Sequence, residues 1–353
     1  MNAAVLHGKG DIRYERAPAP VPGPGEVLIR VRAAGICGSD VPRVLEGSAR
    51  FFPIILGHEF SGVIEELGPG AEGLSEGLAP GRRATAAPLV PCMECPDCQR
   101  GDYALCGGYR FIGSSLNGAF ADLVTVPARG VVTFPDGVPF ERAAFFEPAT
   151  VALHGLLHAG FRPGGDVAVL GAGTVGLFAL QWARLLGARR TAAFDVSPDR
   201  LKLALRLGAD AAFDVTSGTC LEEAMSFSGG RGFGHVFETA GRNSAMSAAF
   251  EIAAGKATVC FIGTSSEDLR FGWRLFEKMN RKEFTLTGSW MSYSAPFPGR
   301  EWAMAADRFG DGGLRFDDAL IHRSFPMSEA AEAFGLFAEP AAVKGKIMLV
   351  NPE

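Results

Sequence analysis

Four cysteines, Cys92, Cys95, Cys98 and Cys106, stand in the pattern CxxCxxCx7C within the stretch PCMECPDCQRGDYALC. Four thiolates at that spacing suit a tetrahedral zinc ion. With all four positions filled by protein, no place is left for a substrate, so the task expected of this site is structural. The metal would offset the ordering cost of a long loop that has no core of its own. An iron–sulfur cluster is the competing occupant. Cys220 and Cys260 lack such neighbours and read as plain buried or edge cysteines.

A second pattern, Gly171, Gly173 and Gly176 in GAGTVG, with Thr174 and Val175 completing the loop, follows the strand-like VAVL and precedes the helix-like LFALQWARLLG. The first glycine permits a tight turn, the second lets backbone approach a pyrophosphate, and the third lets helix pack on strand. The helix N-terminus then offers free N–H groups to the anion. Asp195 closes the next strand, AAFDV, 24 residues after Gly171. A carboxylate there accepts from both hydroxyls of an adenosine ribose and repels a 2′-phosphate, so NAD is expected over NADP. Arg200 is expected beside the adenine or in solvent. Hydride transfer to a nicotinamide gives an iron–sulfur cluster nothing to do, which favours zinc in the cysteine loop.

Cys37 in GICGSD and His58 in LGHEFSG are two further potential zinc ligands, each at the end of a short β-like run. Alone, each reads as a core cysteine or a loop histidine. Their occurrence beside the other two patterns makes a second metal site the better reading.

The elements that must carry these residues change character along the chain. Up to about residue 150, short β-type runs such as EVLIRVRAAGI, FSGVIEELG and FADLVTVP alternate with Gly/Pro turns, as in a twisted, barrel-like β domain. From about Gly155 the order becomes strand, glycine turn, amphipathic helix, repeated as in a βαβ series. Beyond Gly288 come helices around EWAMAADRF and SEAAEAFGLFA and a last strand, KIMLVN, a tail expected to pack back on the first domain. The 353 residues suit two domains. The net charge of -5 offers no general attraction to phosphate backbones, so nucleic acid is excluded as a partner. The N-terminus has no apolar leader, and no stretch reaches the roughly 18 apolar residues of a membrane span, so a cytoplasmic location without membrane attachment is expected.

Together GICGSD, GHEFSG, the four-cysteine loop, FFEPATVALHG and GAGTVG resemble the zinc-containing medium-chain dehydrogenase/reductase family over nearly the whole chain. The resemblance implies an α/β protein in which a Rossmann doubly wound coenzyme domain interrupts a GroES-like, β-rich catalytic domain. The expected parts are 1–150 with a zinc lobe at about 88–110, 151–288 for NAD, and 289–353 returning to the catalytic domain. It implies two zinc ions per chain: a structural one on the four cysteines and a catalytic one on Cys37, His58 and Glu147. Glu147 stands where the polyol branch has glutamate, although before Pro148 it also suits a plain helix start. Glu59 resembles a second carboxylate that approaches the metal during ligand exchange. Asp40 would bond the ring nitrogen of His58 that faces away from zinc. His154 and His158, at i and i+4, read as helix-packing and cofactor-side residues.

The family chemistry so implied is NAD-linked oxidation of an alcohol whose oxygen is acidified by zinc. Ser39 resembles the hydroxyl that relays the proton, and Pro42 replaces the histidine that often ends that relay. CGSDVPR and GSWMSYSAPFPGREW are similar to members acting on galactitol 1-phosphate, which makes a hexitol phosphate the expected substrate and free polyols such as galactitol, altritol, sorbitol or xylitol the alternative. Arg43 and Arg110 are the expected phosphate donors, whereas GSSLNG, from Gly113 to Gly118, carries no basic residue. The resemblance further implies a homodimer or homotetramer. A catalytically inactive NAD-binding protein is the reading from another class; the full set Cys37, Ser39, Asp40, His58 and Glu147 argues against it, since a binding module needs no relay.

Overall fold

The computed structural model describes residues 1–352 and divides into two compact units. The first comprises 1–147, 293–312 and the chain from 318 onward, and the second 148–292 and 313–317. The helix Phe146–His158 carries the first boundary.

In the first unit a seven-stranded sheet runs in the order Val131–Thr133, Arg83–Ala86, Glu59–Leu67, Glu26–Gly35, Lys346–Val350, Ile321–Pro326, with Leu123–Pro127 also paired to Glu26–Gly35. The strand Glu26–Gly35 is the hub: it pairs antiparallel with Glu59–Leu67, placing Gly35 opposite Glu59, and with Lys346–Val350, placing Gly35 opposite Met348. The expected return of the tail is therefore a strand inserted beside the hub. Its anchor is apolar, because Ile347 and Leu349 join the core formed by Ile29, Val31, Phe60 and Phe120.

In the second unit six parallel strands, numbered here in chain order, are β1 (Asp166–Leu170), β2 (Arg190–Asp195), β3 (Ala211–Asp214), β4 (Phe233–Glu238), β5 (Ala253–Phe261) and β6 (Thr285–Gly288). Their spatial order is 3-2-1-4-5-6, the doubly wound order with its switch point between β1 and β4. All five residues of β1 are buried, as expected for a parallel strand covered on both faces. The helix α1 (Thr174–Leu185) follows β1 with Gly173 as its N-cap.

Two details differ from the sequence reading. Residues 313–317 fall in the second unit because the Arg315 amide donates to Gln181 Oε1 at 2.7 Å and Arg206 pairs with Asp317 at 2.7 Å. The segment SEAAEAFGLFA is not one helix. It is a short α-helix, Ala330–Gly335, between 3-10 turns at 327–329 and 336–338. Among the described residues no helix is long and apolar enough to cross a membrane.

Candidate functional site

The sulfurs of Cys92, Cys95, Cys98 and Cys106 lie within 4.8 Å of one another, with Cys92 Sγ 3.9 Å from Cys98 Sγ. Amides converge on them: Cys95 N donates to Cys92 Sγ at 3.3 Å and Cys92 N to Cys106 Sγ at 3.4 Å. Amide donors, chiefly from Glu94 and Cys95, bring the Cys92 thiol down to about 6, while desolvation pushes Cys98 up to about 12. Four sulfurs in one cluster, two of them with such opposed tendencies, fit a cation that ionises all four. An aromatic chain fastens the lobe to residues 293–302: Tyr103 meets Phe297 at 5.2 Å, Phe297 meets Tyr293 at 5.8 Å, and Tyr293 Oη accepts from Leu89 N at 3.2 Å.

The second cluster is built by strand ends. Cys37 lies two residues past the end of the hub strand, His58 immediately precedes its neighbour, which Glu59 opens, and Lys346 opens the inserted tail strand. Donor atoms of Cys37, His58 and Glu59 lie within 4.8 Å of one another. Lys346, buried, donates to Glu59 Oε1 at 2.9 Å and to Ile36 O at 3.3 Å, and its Nζ lies 2.6 Å from Glu59 Oε2 as an ion pair. This pair needs Gly35, since a Cβ there would meet Glu59 Oε2 at 2.8 Å and Lys346 Cδ at 3.1 Å. Lys346 escaped the sequence reading because nothing near it in the chain marks it; only strand pairing brings it to the site.

Glu147 stands outside the group whose donors share that 4.8 Å spacing. It nevertheless feels His58, Glu59, Lys346 and Asp40, and desolvation pushes its carboxyl up to about 7. Desolvation, then the charge of Glu59, also raises the Cys37 thiol. A thiol and two carboxylates around one imidazole and one ammonium form an acid-rich set that a dication would complete. The donor set fits zinc.

One expected contact is corrected. His58 Nδ1 is 3.7 Å from Asp40 Oδ1, beyond hydrogen-bond reach, while Arg43 Nη1 donates to that oxygen at 2.7 Å. His58 Nδ1 is left with no hydrogen-bond partner, and Asp40 Oδ2 accepts from Cys37 N at 3.3 Å. Ser39, exposed, donates from Oγ to Cys37 Sγ at 3.3 Å and accepts from Arg43 Nη1 at 3.4 Å. Phe111 packs edge-on against His58 at 5.4 Å. Arg110, the adjacent strand residue, is exposed.

In the second unit Gly171 adopts φ +96, which only glycine takes readily. A Cβ on Gly176 would lie 1.8 Å from Gly171 O, whereas one on Gly173 would meet nothing within 4 Å. Gly171 and Gly176 thus serve packing, and Gly173 leaves open space where a phosphate can approach. Thr174 and Val175 open α1 and are half-buried. Asp195 is buried at the end of β2, accepting from Ala172 N at 2.7 Å and Ser197 N at 2.8 Å. Arg200 N donates to Ser197 Oγ at 3.5 Å in the cap of the helix Pro198–Arg206. His154 and His158 stack on each other at 5.8 Å. Cys260 is buried with its thiol raised to about 12 by desolvation, and Cys220 is half-buried.

Comparison with known proteins agrees with this arrangement. Residues 23–136 match the model of the alcohol dehydrogenase GroES-like domain, and residues 174–307 that of the zinc-binding dehydrogenases. Galactitol 1-phosphate 5-dehydrogenase of Escherichia coli (strain K12) is 36% identical over 99% of this chain and 100% of its own. This chain belongs to the zinc-binding dehydrogenase family. The crystal structure of the Escherichia coli galactitol-1-phosphate dehydrogenase superposes with a TM-score of 0.92, covering 99% of this chain and 100% of the other. A zinc-binding dehydrogenase from Sinorhizobium meliloti 1021, crystallised with NADP, is 30% identical with a TM-score of 0.88, covering 99% of each chain. The family member described here is accordingly an oxidoreductase of alcohols or polyols, α/β in fold, with zinc and a nicotinamide dinucleotide as its cofactors.

Proposed function

We propose that this enzyme oxidises a secondary hydroxyl of a hexitol phosphate, of the galactitol 1-phosphate kind, to the keto sugar phosphate. The observation that carries the reading is the meeting of Cys37, His58 and Glu59 in one cluster, with Glu147 and Ser39 beside them. Zinc held there would supply a Lewis acid that lowers the pKa of the substrate hydroxyl, and NAD held by the glycine loop would supply the hydride acceptor. Cys37 and His58 are its ligands in this reading, with Glu147 as the third. Glu59 is the poorer choice because it would have to leave Lys346, 2.6 Å away. Ser39 accepts the hydroxyl proton; Pro42 has no group to take it further, so the exposed side of Ser39 delivers it to solvent. Asp195 receives the adenosine ribose and, by its charge, favours NAD over NADP.

The phosphate needs a cation, since an unpaired dianion in a dry cleft would cost several kcal/mol. Arg43 supports this part of the reading: it touches Ser39 Oγ, and its bonds to Ser39 and Asp40 use Nη1 alone of a guanidinium with further donors. Arg43→Ala should raise KM for galactitol 1-phosphate at least about tenfold, the loss of one charge-assisted hydrogen bond, while KM for free galactitol changes little. Equal effects on both substrates would remove Arg43 from phosphate binding. The second reading, a dehydrogenase of free polyols, is favoured by the engagement of Arg43 with Asp40 and the exposure of Arg110.

The assembly in this reading is a homodimer or homotetramer. One side of the outer strand β6 is unpaired, and Trp273 and Trp290 are 67% and 50% exposed. Light scattering tests this, and a monomer at working concentration would contradict it. All seven cysteines are free of disulfides, as suits a reducing compartment. We place the enzyme in the cytoplasm, which cell fractionation checks.

A further inference from the structure

The turn that follows β4, Thr239–Ala240–Gly241, is packed against the glycine loop that follows β1. It is held from beneath by Glu238, whose buried carboxylate accepts from Ala240 N and Gly241 N, each at 2.8 Å. The backbone carbonyl of Glu238 is fixed in turn by Ile262 N at 2.8 Å and Gly263 N at 3.0 Å.

On this support sits Thr239. Its amide donates to Leu170 O at 2.8 Å, so the carbonyl that ends β1 already has a partner. The hydroxyl lies 2.9 Å from Gly171 O and 3.1 Å from Leu170 O. One hydroxyl carries one proton, and the shorter contact, to the Gly171 carbonyl that the Thr239 amide does not already serve, is the one it makes.

The peptide that links Gly171 to Ala172 is therefore gripped at both ends. Its C=O is held by Thr239 and its N–H by Asp195 Oδ2 at 2.7 Å. Because a trans peptide is planar with these groups on opposite sides, two such bonds fix its orientation. The same hydroxyl is one of the atoms crowding two of the three motif glycines: a Cβ on Gly171 would lie 3.0 Å from Thr239 Oγ1, as from Ala240 Cβ and N, and one on Gly176 would lie 2.8 Å from it, beyond the nearer Gly171 O at 1.8 Å.

We propose that Thr239 is a positioning residue for the coenzyme: through the Gly171–Ala172 peptide its hydroxyl holds both the phosphate-binding loop and the ribose-binding carboxylate of Asp195 in their receiving positions. The inference rests on the reading of this unit as the NAD site, and touches neither metal cluster.

The test is a fluorescence titration of NADH binding, with AMP as a competing ligand for the adenosine half, on wild type, Thr239→Val and Thr239→Ser. Valine keeps the shape and removes the hydroxyl; serine keeps the hydroxyl and removes the methyl. Thr239→Val should raise the Kd of NADH and of AMP about tenfold, the effect of one lost hydrogen bond and a loosened peptide. Zinc content and kcat at saturating NAD should stay within about twofold, and Thr239→Ser should bind nearly as wild type does, which a purely steric role would not allow. Unchanged Kd in Thr239→Val, or equal losses in the valine and serine variants, overturns the proposal. Failure of wild type itself to bind NADH would instead sink the coenzyme reading on which it stands.

Discussion

Lys346 decides what Glu59 can do. The two are buried together, 2.6 Å apart, within the cluster that includes Cys37 and His58. Removing one partner of a buried pair leaves an uncompensated charge, at a cost of about 3–5 kcal/mol. Lys346→Met should therefore lower the melting temperature markedly, and adding Glu59→Gln should restore most of it, because the pair is then replaced rather than broken. Differential scanning calorimetry checks this, and a Lys346→Met protein as stable as wild type would contradict the assignment. The same pair marks how far single residues are legible. Cys37, His58 and Glu59 stand in short motifs whose neighbours identify them. Lys346 lies far along the chain and acquires its role only by strand insertion. Arg43 shows another limit: its motif points to substrate, and only the structure reveals that its Nη1 also holds Asp40.

Among the elements, the two metal sites sit on parts with different duties. The four-cysteine lobe has little core and is tied to residues 293–302 by Tyr103, Phe297 and Tyr293. Cys95→Ser should lower stability, each kcal/mol lost taking roughly 2–4 °C from Tm. Cys37→Ser should leave Tm within a few degrees but reduce kcat on the order of a thousandfold, as loss of Lewis-acid assistance worth several kcal/mol requires. Two equally stable, inactive variants would show that the division of roles is wrong. Strand β4 carries a different sensitivity. His235 is buried and its Nε2 accepts from Arg162 N at 3.1 Å, a bond that needs the neutral ring. Desolvation, then the charge of Arg162, lowers its pKa below the ordinary value. A lowered folded-state pKa means the unfolded chain takes up the proton first, so stability is present above about pH 6.5 and is lost as pH falls further. Tm should fall between about pH 7 and 5, and His235→Gln, whose amide can accept at either pH, should flatten that slope. An unchanged slope would mean that other groups set the acid limit. The βαβ elements were legible because each strand, glycine turn and helix is local. The split of SEAAEAFGLFA and the return of 313–317 to the second unit were not, since both depend on partners distant in the chain.

For the whole molecule, the proposed function requires that one chain supply a zinc cluster, a relay serine and a coenzyme unit for the oxidation of one class of alcohol. Its most direct test is the initial rate of NADH formation by zinc-replete enzyme on a panel of polyols and their phosphate esters, with NADP substituted for NAD in a parallel series. The expected result is highest kcat/KM on galactitol 1-phosphate or a close hexitol phosphate, with NAD preferred over NADP by about tenfold or more, the effect of at least about 1.4 kcal/mol from the Asp195 charge. Higher kcat/KM on free galactitol, altritol or xylitol would assign the enzyme to unphosphorylated polyols, and no reduction of either coenzyme by any member of the panel would contradict a polyol dehydrogenase altogether.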